Sequence, residues 1–343
     1  MRLLIYICHP AQAYFFNQVI LGLKERGHDI KIVVRAKECT LEILDYYHLD
    51  YELISIGARN GLFRKAIGLI EMNLTLIKIV KSYRPDLLLS ETSYISQVGK
   101  ILHIPSILIC QNEHANLENF LFLPFADTII TFKSFYGKQN WTNCKVIDGY
   151  FFLPYLHSEY FHPDPTVLTD LKLKNEDKIA VIRFSSWEAA HDHGQKGFSI
   201  EEKLLLIHEL EKDFKVYIIS EGDTPDSLEK YILKVSAVKF HSLLHYATIC
   251  ISEGGSTAAE SAILGTPTIY FSTIKPGYIC ELRDKYGLIE STSDINQCMK
   301  FIEIIRGNPN IKDENSKKKN LMITENKDVV KHVIEIVESY KAK

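Results

Sequence analysis

The stretch SEGGSTAAESAILGTP, at positions 252–267, decides how the chain is interpreted. Apolar runs flank it on both sides, and short apolar runs bounded by turn residues are typical of buried strands. Two glycines, Gly254 and Gly255, are followed by two hydroxyl residues, Ser256 and Thr257, and then by a helical pattern. The stretch therefore predicts a strand, a glycine-rich turn, a helix and a second strand.

The start of such a helix is suited to binding an anion. Its first backbone N–H groups have no partner within the helix, and the helix dipole adds about half a positive charge there. Ser256 and Thr257 are predicted to cap the helix and to add hydroxyl donors, so that phosphate is the expected ligand. Glu260 lies one turn further on, where its carboxylate can accept from two ribose hydroxyls. A nucleoside diphosphate fits this arrangement; a capped turn without a ligand is the plain alternative.

Length and composition indicate a two-domain globular protein. The chain has 343 residues, of which 46% are hydrophobic and 24% charged, and its net charge of -3 gives no reason to expect nucleic acid. Seven cysteines without a CxxC motif favour a reducing cytoplasm over a disulfide framework. The N-terminus does not resemble a signal peptide, and no segment approaches the roughly 18 to 20 apolar residues of a membrane span. We therefore expect a cytoplasmic protein.

The order of strands and helices predicts two doubly wound parallel sheets. Short apolar runs alternate with helical segments, and this pattern begins again after a proline-containing connector. A lysine-rich stretch at 312–320 is expected to be a solvated loop. The predicted divisions are a first Rossmann-like domain at 1–150, a linker at 151–172, a second Rossmann-like domain at 173–325 and a C-terminal amphipathic helix at 326–343.

The stretch at 252–267 resembles the donor-nucleotide motif of the GT-B glycosyltransferase superfamily, which includes the hydrolysing UDP-N-acetylglucosamine 2-epimerases. Nearly the whole chain resembles an uncharacterised family of glycosyltransferase-like proteins, often linked with surface polysaccharide genes. That family usually has Asp-Ser-Ala-Thr where this chain has Glu253-Gly-Gly-Ser256, a departure toward the glycine pair of the epimerases. The resemblance is carried by HPAQAYFF (9–16), RGHDI (26–30), RPDLLLS (84–90), EHANLEN (113–119), PFADTIIT (124–131), RFSSWEAAHDHGQKG (183–197) and ISEGGSTAAESAILGTP (251–267).

The resemblance implies a GT-B fold, with two Rossmann-like domains facing a central cleft and the nucleotide-sugar donor on the second domain. Arg183 follows a strand and can pair bidentately with phosphate, or can form a structural ion pair instead. His241 either faces the diphosphate or caps its helix, and Glu221 and Gly222 stand where GT-B proteins commonly recognise the base. The predicted donor-binding residues are Arg183, Ser185, Ser186, Glu221, Gly222, His241, Gly254, Gly255, Ser256, Thr257 and Glu260.

The first domain is then expected to bind the acceptor. His9 follows the first strand and is the first candidate for a general base, because an imidazole titrates near neutral pH. A histidine hydrogen-bonded at a strand end is the plain alternative. Glu113 and His114 are rival bases, and Glu91 is a further carboxylate that could act as a base or bind acceptor hydroxyls. The predicted acceptor-binding residues are Gln12, Glu91, His191 and His193.

Cofactor and metal requirements are expected to be absent. The first strand is not followed by GxGxxG, which argues against a dinucleotide, and no Asp-x-Asp occurs in the chain. His191 and His193 flank an aspartate, but two histidines and one carboxylate without further spaced ligands are a weak metal signal. The helix dipole and basic side chains would take the place of a metal.

The predicted function is that of a metal-independent inverting glycosyltransferase, of the hexosyltransferase class. It would move a sugar from a nucleotide diphosphate sugar, with a UDP-sugar favoured, to a surface-polysaccharide or lipid-linked acceptor. A UDP-N-acetylglucosamine 2-epimerase-like enzyme and a nucleotide-sugar-binding protein without turnover remain as alternatives. An epimerase could use Glu91, Glu113 and Glu253 as its cluster of carboxylates.

Residues 59–84 add an expectation about the acceptor. Six basic residues and one acidic residue are interleaved there with apolar ones, as in a basic amphipathic helix. Such a helix can lie on an anionic membrane surface. Peripheral membrane contact through 59–84 is therefore predicted, with a solvated face above an apolar core face as the plain alternative.

Overall fold

A computed structural model describes residues 1–55, 62–92, 94–111, 113, 123–135, 141–174, 176–185, 197–220 and 225–341, with the backbone alone for 62–66. The chain divides into two compact units. The first unit comprises Met1–Tyr155 together with Lys327–Lys343, and the second comprises Leu156–Asn326.

The first unit contains a seven-stranded parallel sheet. Its strands are ordered β3-β2-β1-β4-β5-β6-β7. The central strands are buried on both faces, which explains why they are uninterrupted apolar runs in the sequence. The strands are β1 (Arg2–Ile7), β2 (Asp29–Arg35), β3 (Tyr51–Ile54), β4 (Leu87–Ser90), β5 (Ser106–Ile109), β6 (Thr128–Phe132) and β7 (Cys144–Ile147).

Helices follow most of these strands, as expected for parallel connections. Helix α1 begins after His9 and ends before Gly27, whose φ of 78° allows the chain to turn back toward β2. The α-helices described within residues 1–156 are α1 (Pro10–Glu25), α2 (Thr40–Tyr46), α3 (Leu62–Tyr83), α4 (Tyr94–Leu102) and α5 (Leu153–Leu156).

The second unit contains a five-stranded parallel sheet in the order β12-β11-β10-β8-β9. The predicted fold class, two doubly wound parallel-sheet domains, is confirmed. The strands are β8 (Ile179–Phe184), β9 (Lys215–Ser220), β10 (Ile249–Ser252), β11 (Thr268–Phe271) and β12 (Ile289–Thr292). The described helices are α6 (Thr166–Asp170), α7 (Ile200–Leu210), α8 (Phe240–Tyr246), α9 (Gly255–Ile263), α10 (Gly277–Asp284), α11 (Ile295–Gly307) and α12 (Ile311–Glu325), with a 3₁₀ helix at Asp226–Tyr231.

The last helix, α13 (Val329–Glu338), belongs to the first unit and packs on α1. The closeness of this packing is clear at Gly22, where a Cβ atom would lie 2.6 Å from Cδ1 of Ile334. Arg26 also pairs with Glu338 at 2.6 Å. The first unit is therefore built from both ends of the chain.

The prediction that the lysine-rich stretch 312–320 is a loop is wrong, because it lies within α12. None of residues 312–320 is apolar, so this stretch carries no hydrophobic periodicity of a helix. Tertiary contacts hold the helix instead: Asn315 and Met322 are buried, Lys312 Nζ donates to the carbonyl of Tyr246, and Lys318 Nζ donates to that of Gly287. Across the described ranges, none of the helices combines the length and the apolar character needed to cross a membrane.

Candidate functional site

The glycine loop, defined here as residues 252–257, joins β10 to α9 at the carboxyl end of the second sheet. Gly254 is the N-cap of α9, and Gly255 is its first residue. The predicted capping by Ser256 and Thr257 is wrong, because the helix begins before them and both residues lie in its first turn. Ser252 instead braces the loop, its hydroxyl accepting from Gly254 N–H and donating to Gly254 C=O. The N–H groups of the first turn of α9 thus point out of the helix start.

Both glycines lie beside side chains from neighbouring elements. A Cβ at Gly254 would lie 3.5 Å from Arg183 Nε and 3.6 Å from Ser185 Oγ. The structure therefore brings two predicted donor-binding side chains to the glycine loop. Arg183 reaches this place because it pairs with Ser252 in the register of β8 and β10. A guanidinium beside a helix N-terminus is suited to binding phosphate oxygens.

Tyr278 is a member of this site that the sequence interpretation missed. A Cβ at Gly255 would lie 2.6 Å from Tyr278 Oη, so the tyrosine fits only because residue 255 has no side chain. Tyr278 lies in the first turn of α10, which follows β11 in the same sheet. Its position after a strand, in the segment Pro276-Gly277-Tyr278, was the available signal.

Glu260 has a defined partner inside the second unit. Its side chain lies one turn into α9 and is buried, and its Oε1 is 3.3 Å from His241 Nε2, which comes from α8. The structure therefore places His241 against the carboxylate of Glu260. This contact orients the carboxylate of Glu260.

The carboxylate of Glu253, within the glycine loop, accepts hydrogen bonds from two backbone N–H groups. Its Oε2 accepts from Ser185 N–H at 2.7 Å and its Oε1 accepts from Phe198 N–H at 2.6 Å. Five predicted site residues, Ser186, His191, His193, Glu221 and Gly222, lie outside the described part of the second unit.

A second polar cluster lies at the carboxyl end of the first sheet, after β1, β4 and β5. Gln111 Nε2 donates to Glu91 Oε1 at 2.8 Å. The amide of Gln12 also hydrogen-bonds Glu91, while its Oε1 accepts from Cys8 N–H at 2.8 Å. Gln12 and Glu91, two of the residues predicted to bind the acceptor, are thus in contact, and Gln111, which follows β5, also hydrogen-bonds Glu91.

Glu91 is the group in this cluster with a pKa near neutrality. Burial raises the pKa of its carboxyl to about 7, against the opposing effect of the hydrogen bonds from Gln111 and Gln12. The nearby Cys8 has its pKa raised to about 11, by burial and then by the charge of Glu91, so its thiol is protonated at neutral pH. Glu91 can therefore exchange a proton near pH 7, whereas Cys8 is not a thiolate nucleophile.

His9 has a structural role that affects its chemistry. It is the N-cap of α1, and its Nδ1 accepts from Ala11 N–H at 3.3 Å. A neutral imidazole that accepts at Nδ1 carries its proton on Nε2, so that nitrogen is a donor rather than a base. Glu113 lies beyond the end of β5 and is partly buried, and His114 lies outside the described residues. Within the described ranges, no three His, Cys, Asp or Glu side chains are grouped closely enough to hold a metal ion.

Comparison with solved structures identifies the fold. The UDP-GlcNAc 2-epimerase from Neisseria meningitidis bound to UDP-GlcNAc superposes with a TM-score of 0.71 at 14% identity, covering 100% of both chains. The S. aureus MnaA–UDP co-structure gives a TM-score of 0.70 at 10% identity, covering 99% of this chain and 97% of that one. The spinosyn rhamnosyltransferase SpnG in complex with spinosyn aglycone gives 0.61 at 14% identity, with 98% and 100% covered. The chain therefore has a GT-B fold.

Sequence comparison identifies the family. Uncharacterized protein MJ0665 from Methanocaldococcus jannaschii is 25% identical over 321 residues, which cover 87% of this chain and 90% of that protein. The family described as "Protein of unknown function (DUF354)" matches residues 1–342. With nearly its full length matched, the chain belongs to the DUF354 family.

Proposed function

We propose that this protein is a metal-independent inverting glycosyltransferase whose second unit binds a nucleotide diphosphate sugar. The observation that carries the proposal is the glycine loop at the start of α9, with Arg183 beside Gly254 and with Glu260 held by His241 one turn further on. UDP-GlcNAc or UDP is present in UDP-GlcNAc 2-epimerase structures of the same fold, which supports a UDP-sugar as the donor.

In this proposal the second unit stabilises the departing nucleotide diphosphate. The first-turn N–H groups of α9 and the guanidinium of Arg183 balance the negative charge that grows on the leaving diphosphate, which is usually the largest catalytic contribution. Ser185 adds a hydroxyl beside the glycine loop. Glu260, oriented by His241, accepts from the ribose hydroxyls.

The first unit supplies the acceptor side of the reaction, and we assign the general base to Glu91. A carboxylate with a pKa near 7 is well matched to removing a proton from a hydroxyl at neutral pH. Gln12 and Gln111 hold it in place. The acceptor oxygen then attacks the anomeric carbon opposite the leaving diphosphate, Glu91 takes the hydroxyl proton, and the configuration inverts. His9 donates to the acceptor instead of acting as the base.

A UDP-N-acetylglucosamine 2-epimerase-like reaction is the second candidate, favoured by the Gly254–Gly255 pair and by the epimerases that share this fold. One observation weighs against it: Glu253, one of the three carboxylates that such an enzyme could use, accepts from two backbone N–H groups. Incubating the protein with UDP-GlcNAc in D₂O separates the two reactions. Loss of the C2 proton signal supports an epimerase, whereas UDP release that depends on an added acceptor supports a transferase.

The first test is nucleotide binding, measured by a thermal-shift panel of nucleotides and nucleotide sugars. A ligand at a hundred times its dissociation constant stabilises the native state by about 2.7 kcal/mol. We expect UDP or a UDP-sugar to raise the melting temperature and Glu260→Ala to abolish the response. Glu335→Ala, on the exposed side of α13 in the other unit, is the control and should respond like the wild type. If no nucleotide or nucleotide sugar shifts the melting temperature of the wild type, the proposed donor site is wrong.

We further propose that the acceptor is lipid-linked or part of a surface polysaccharide, and that α3 contacts the membrane surface. One side of α3 exposes three aliphatic side chains, Ile67, Ile70 and Leu74, followed by Lys78 and Lys81. Their spacing of three and four residues puts all five on one face of the helix. Exposed aliphatic groups beside lysines match an anionic membrane interface.

A further inference from the structure

Glu253 has an unusual position for an acidic residue. It directly precedes the N-cap of α9 and is only 3% exposed. Its two oxygens accept from the backbone N–H groups of Ser185 and Phe198, which lie on either side of residues 186–197. We infer that Glu253 is a positioning residue that holds Ser185 and Phe198, the residues at the two ends of the 186–197 segment, against the glycine loop and so keeps Arg183 and Ser185 in place for the donor.

The geometry supports a dedicated anchor. Bonds from backbone N–H to a carboxylate are charge-assisted and are stronger than neutral hydrogen bonds. Here they measure 2.7 and 2.6 Å, and both are buried or partly buried. Because both donors belong to the backbone, the side chains at 185 and 198 remain available for other contacts. The Glu253 carboxylate thus gives Ser185 N–H a partner directly after β8 ends at Phe184.

The far end of the segment is also held by the core. The ring of Phe198 stacks on Phe271 with their centroids 3.6 Å apart, and its edge meets Phe184. Phe198 is therefore fixed by ring packing on one side and by Glu253 on the other. The chain leaves the sheet at Ser185 and returns to the same carboxylate at Phe198.

The same residue connects this anchor to the phosphate-binding groups. Glu253 N–H donates to Arg183 C=O at 3.0 Å, and the next residue, Gly254, lies against the Arg183 guanidinium. Arg183, Ser185 and the start of α9 are thus all held through Glu253. The functional part of this inference rests on the donor site proposed above, whereas the anchoring part does not.

The test compares Glu253→Gln with Glu202→Gln in the full-length protein. Glu202 is a matched control, because its carboxylate also accepts a backbone N–H in the second unit, that of Ser199 at 2.7 Å in the capping box of α7. Hydrogen exchange measured by mass spectrometry reports the anchoring, and calorimetric titration with UDP reports the donor site. The amide of glutamine presents one acceptor and one donor, so one of the two N–H groups loses its partner.

We expect Glu253→Gln to speed exchange at both ends of the segment and to weaken UDP binding by about tenfold or more. Glu202→Gln should speed exchange only at the start of α7 and bind UDP like the wild type. Exchange and UDP affinity both unchanged in Glu253→Gln would overturn the inference. Faster exchange with unchanged UDP affinity would overturn the coupling to the donor site.

Two further outcomes are separable. If wild-type protein binds no UDP, the proposed donor site fails, while the exchange data still decide whether Glu253 anchors the segment. If Glu253→Gln does not fold, Glu253→Asp replaces it, since a side chain shorter by one methylene keeps the charge but cannot reach both N–H groups. We expect Glu253→Asp to retain one protected end and to show a smaller loss of UDP affinity.

Discussion

At the scale of single residues, the main result concerns which group can accept a proton. His9 was the first candidate from its position after β1, yet its Nδ1 caps α1. Glu91 follows β4, and its surroundings combine burial with two amide hydrogen bonds. Burial favours the neutral acid, and the amides favour the carboxylate, so the group is balanced near neutral pH. The choice between the two residues therefore depends on their partners, which the sequence does not display.

The pH dependence of activity follows from this assignment. Glu91 must be ionised to act as a base, so kcat/KM is expected to rise with pH, with an inflection near 7. Glu91→Gln should lower the rate by about a hundred- to ten-thousandfold and remove the inflection. The control is Glu52→Gln on β3, where the carboxylate pairs with Lys31 of β2 at the surface; it should leave the pH profile unchanged. An inflection that survives in Glu91→Gln would assign the base elsewhere.

Glu91 also predicts a pH dependence of stability. Its pKa is higher in the folded protein than the usual 4.5, so the folded state binds the proton more tightly than the unfolded state. This contribution is fully present below pH 4.5 and is lost as the pH rises through about 7. Urea unfolding at pH 5 and pH 8 should therefore show a smaller loss of stability in Glu91→Gln than in the wild type. Equal losses in the two proteins would contradict the raised pKa.

At the scale of elements, the helices differ in how well they can be predicted from their sequences. The glycine pair before α9 correctly indicates a helix start, but the cap is Gly254 rather than a hydroxyl side chain. Helix α12 was missed because it is mostly polar and is held by its contacts with neighbouring elements. Helix α3 is amphipathic in both sequence and structure, with Met72, Leu76 and Val80 buried on the side opposite its exposed aliphatic face.

The exposed face of α3 gives a testable prediction about membranes. We expect the full-length protein to co-sediment with vesicles containing anionic lipid, and less so at high salt, because Lys78 and Lys81 act through screened charges. Replacing Ile70 and Leu74 together with serine should reduce the bound fraction severalfold while the melting temperature stays close to that of the wild type. The same double replacement at Leu204 and Leu205, which are exposed on α7, is the matched control. Binding that is unaffected by the α3 change would place the contact elsewhere.

At the scale of the whole molecule, the two ends of the chain form one unit. Helix α13 covers α1, and five of its apolar side chains, Val329, Val330, Val333, Ile334 and Val337, are buried. Burying one such side chain contributes about 1.5–3 kcal/mol, and a typical protein is stable by only about 5–15 kcal/mol. The first unit therefore depends on a segment that follows the entire second unit in the sequence.

Truncation after Asn326 tests this dependence. We expect the truncated chain to lose the cooperative unfolding of the first unit while the unit Leu156–Asn326 retains its own transition, as followed by calorimetry. Val333→Asp in the full chain should destabilise the first unit by several kcal/mol, about the cost of an unpaired buried charge. Lys331→Asp, on the exposed side of the same helix, should have little effect. An unchanged first-unit transition after truncation would show that α13 is dispensable.

The sequence by itself determined the two parallel sheets, the glycine loop and the helix that follows it, because buried strands and glycine turns are encoded by neighbouring residues. It also indicated most of the polar residues that lie at or just after the carboxyl ends of the strands. The tertiary structure alone decided the partners: Glu260 with His241, Glu91 with Gln12 and Gln111, Glu253 with Ser185 and Phe198, and α13 with α1. Most of these contacts join residues that are far apart in the chain. Hydrogen bonds and burial, which set the pKa of Glu91 and the role of Glu253, exist only once those residues meet.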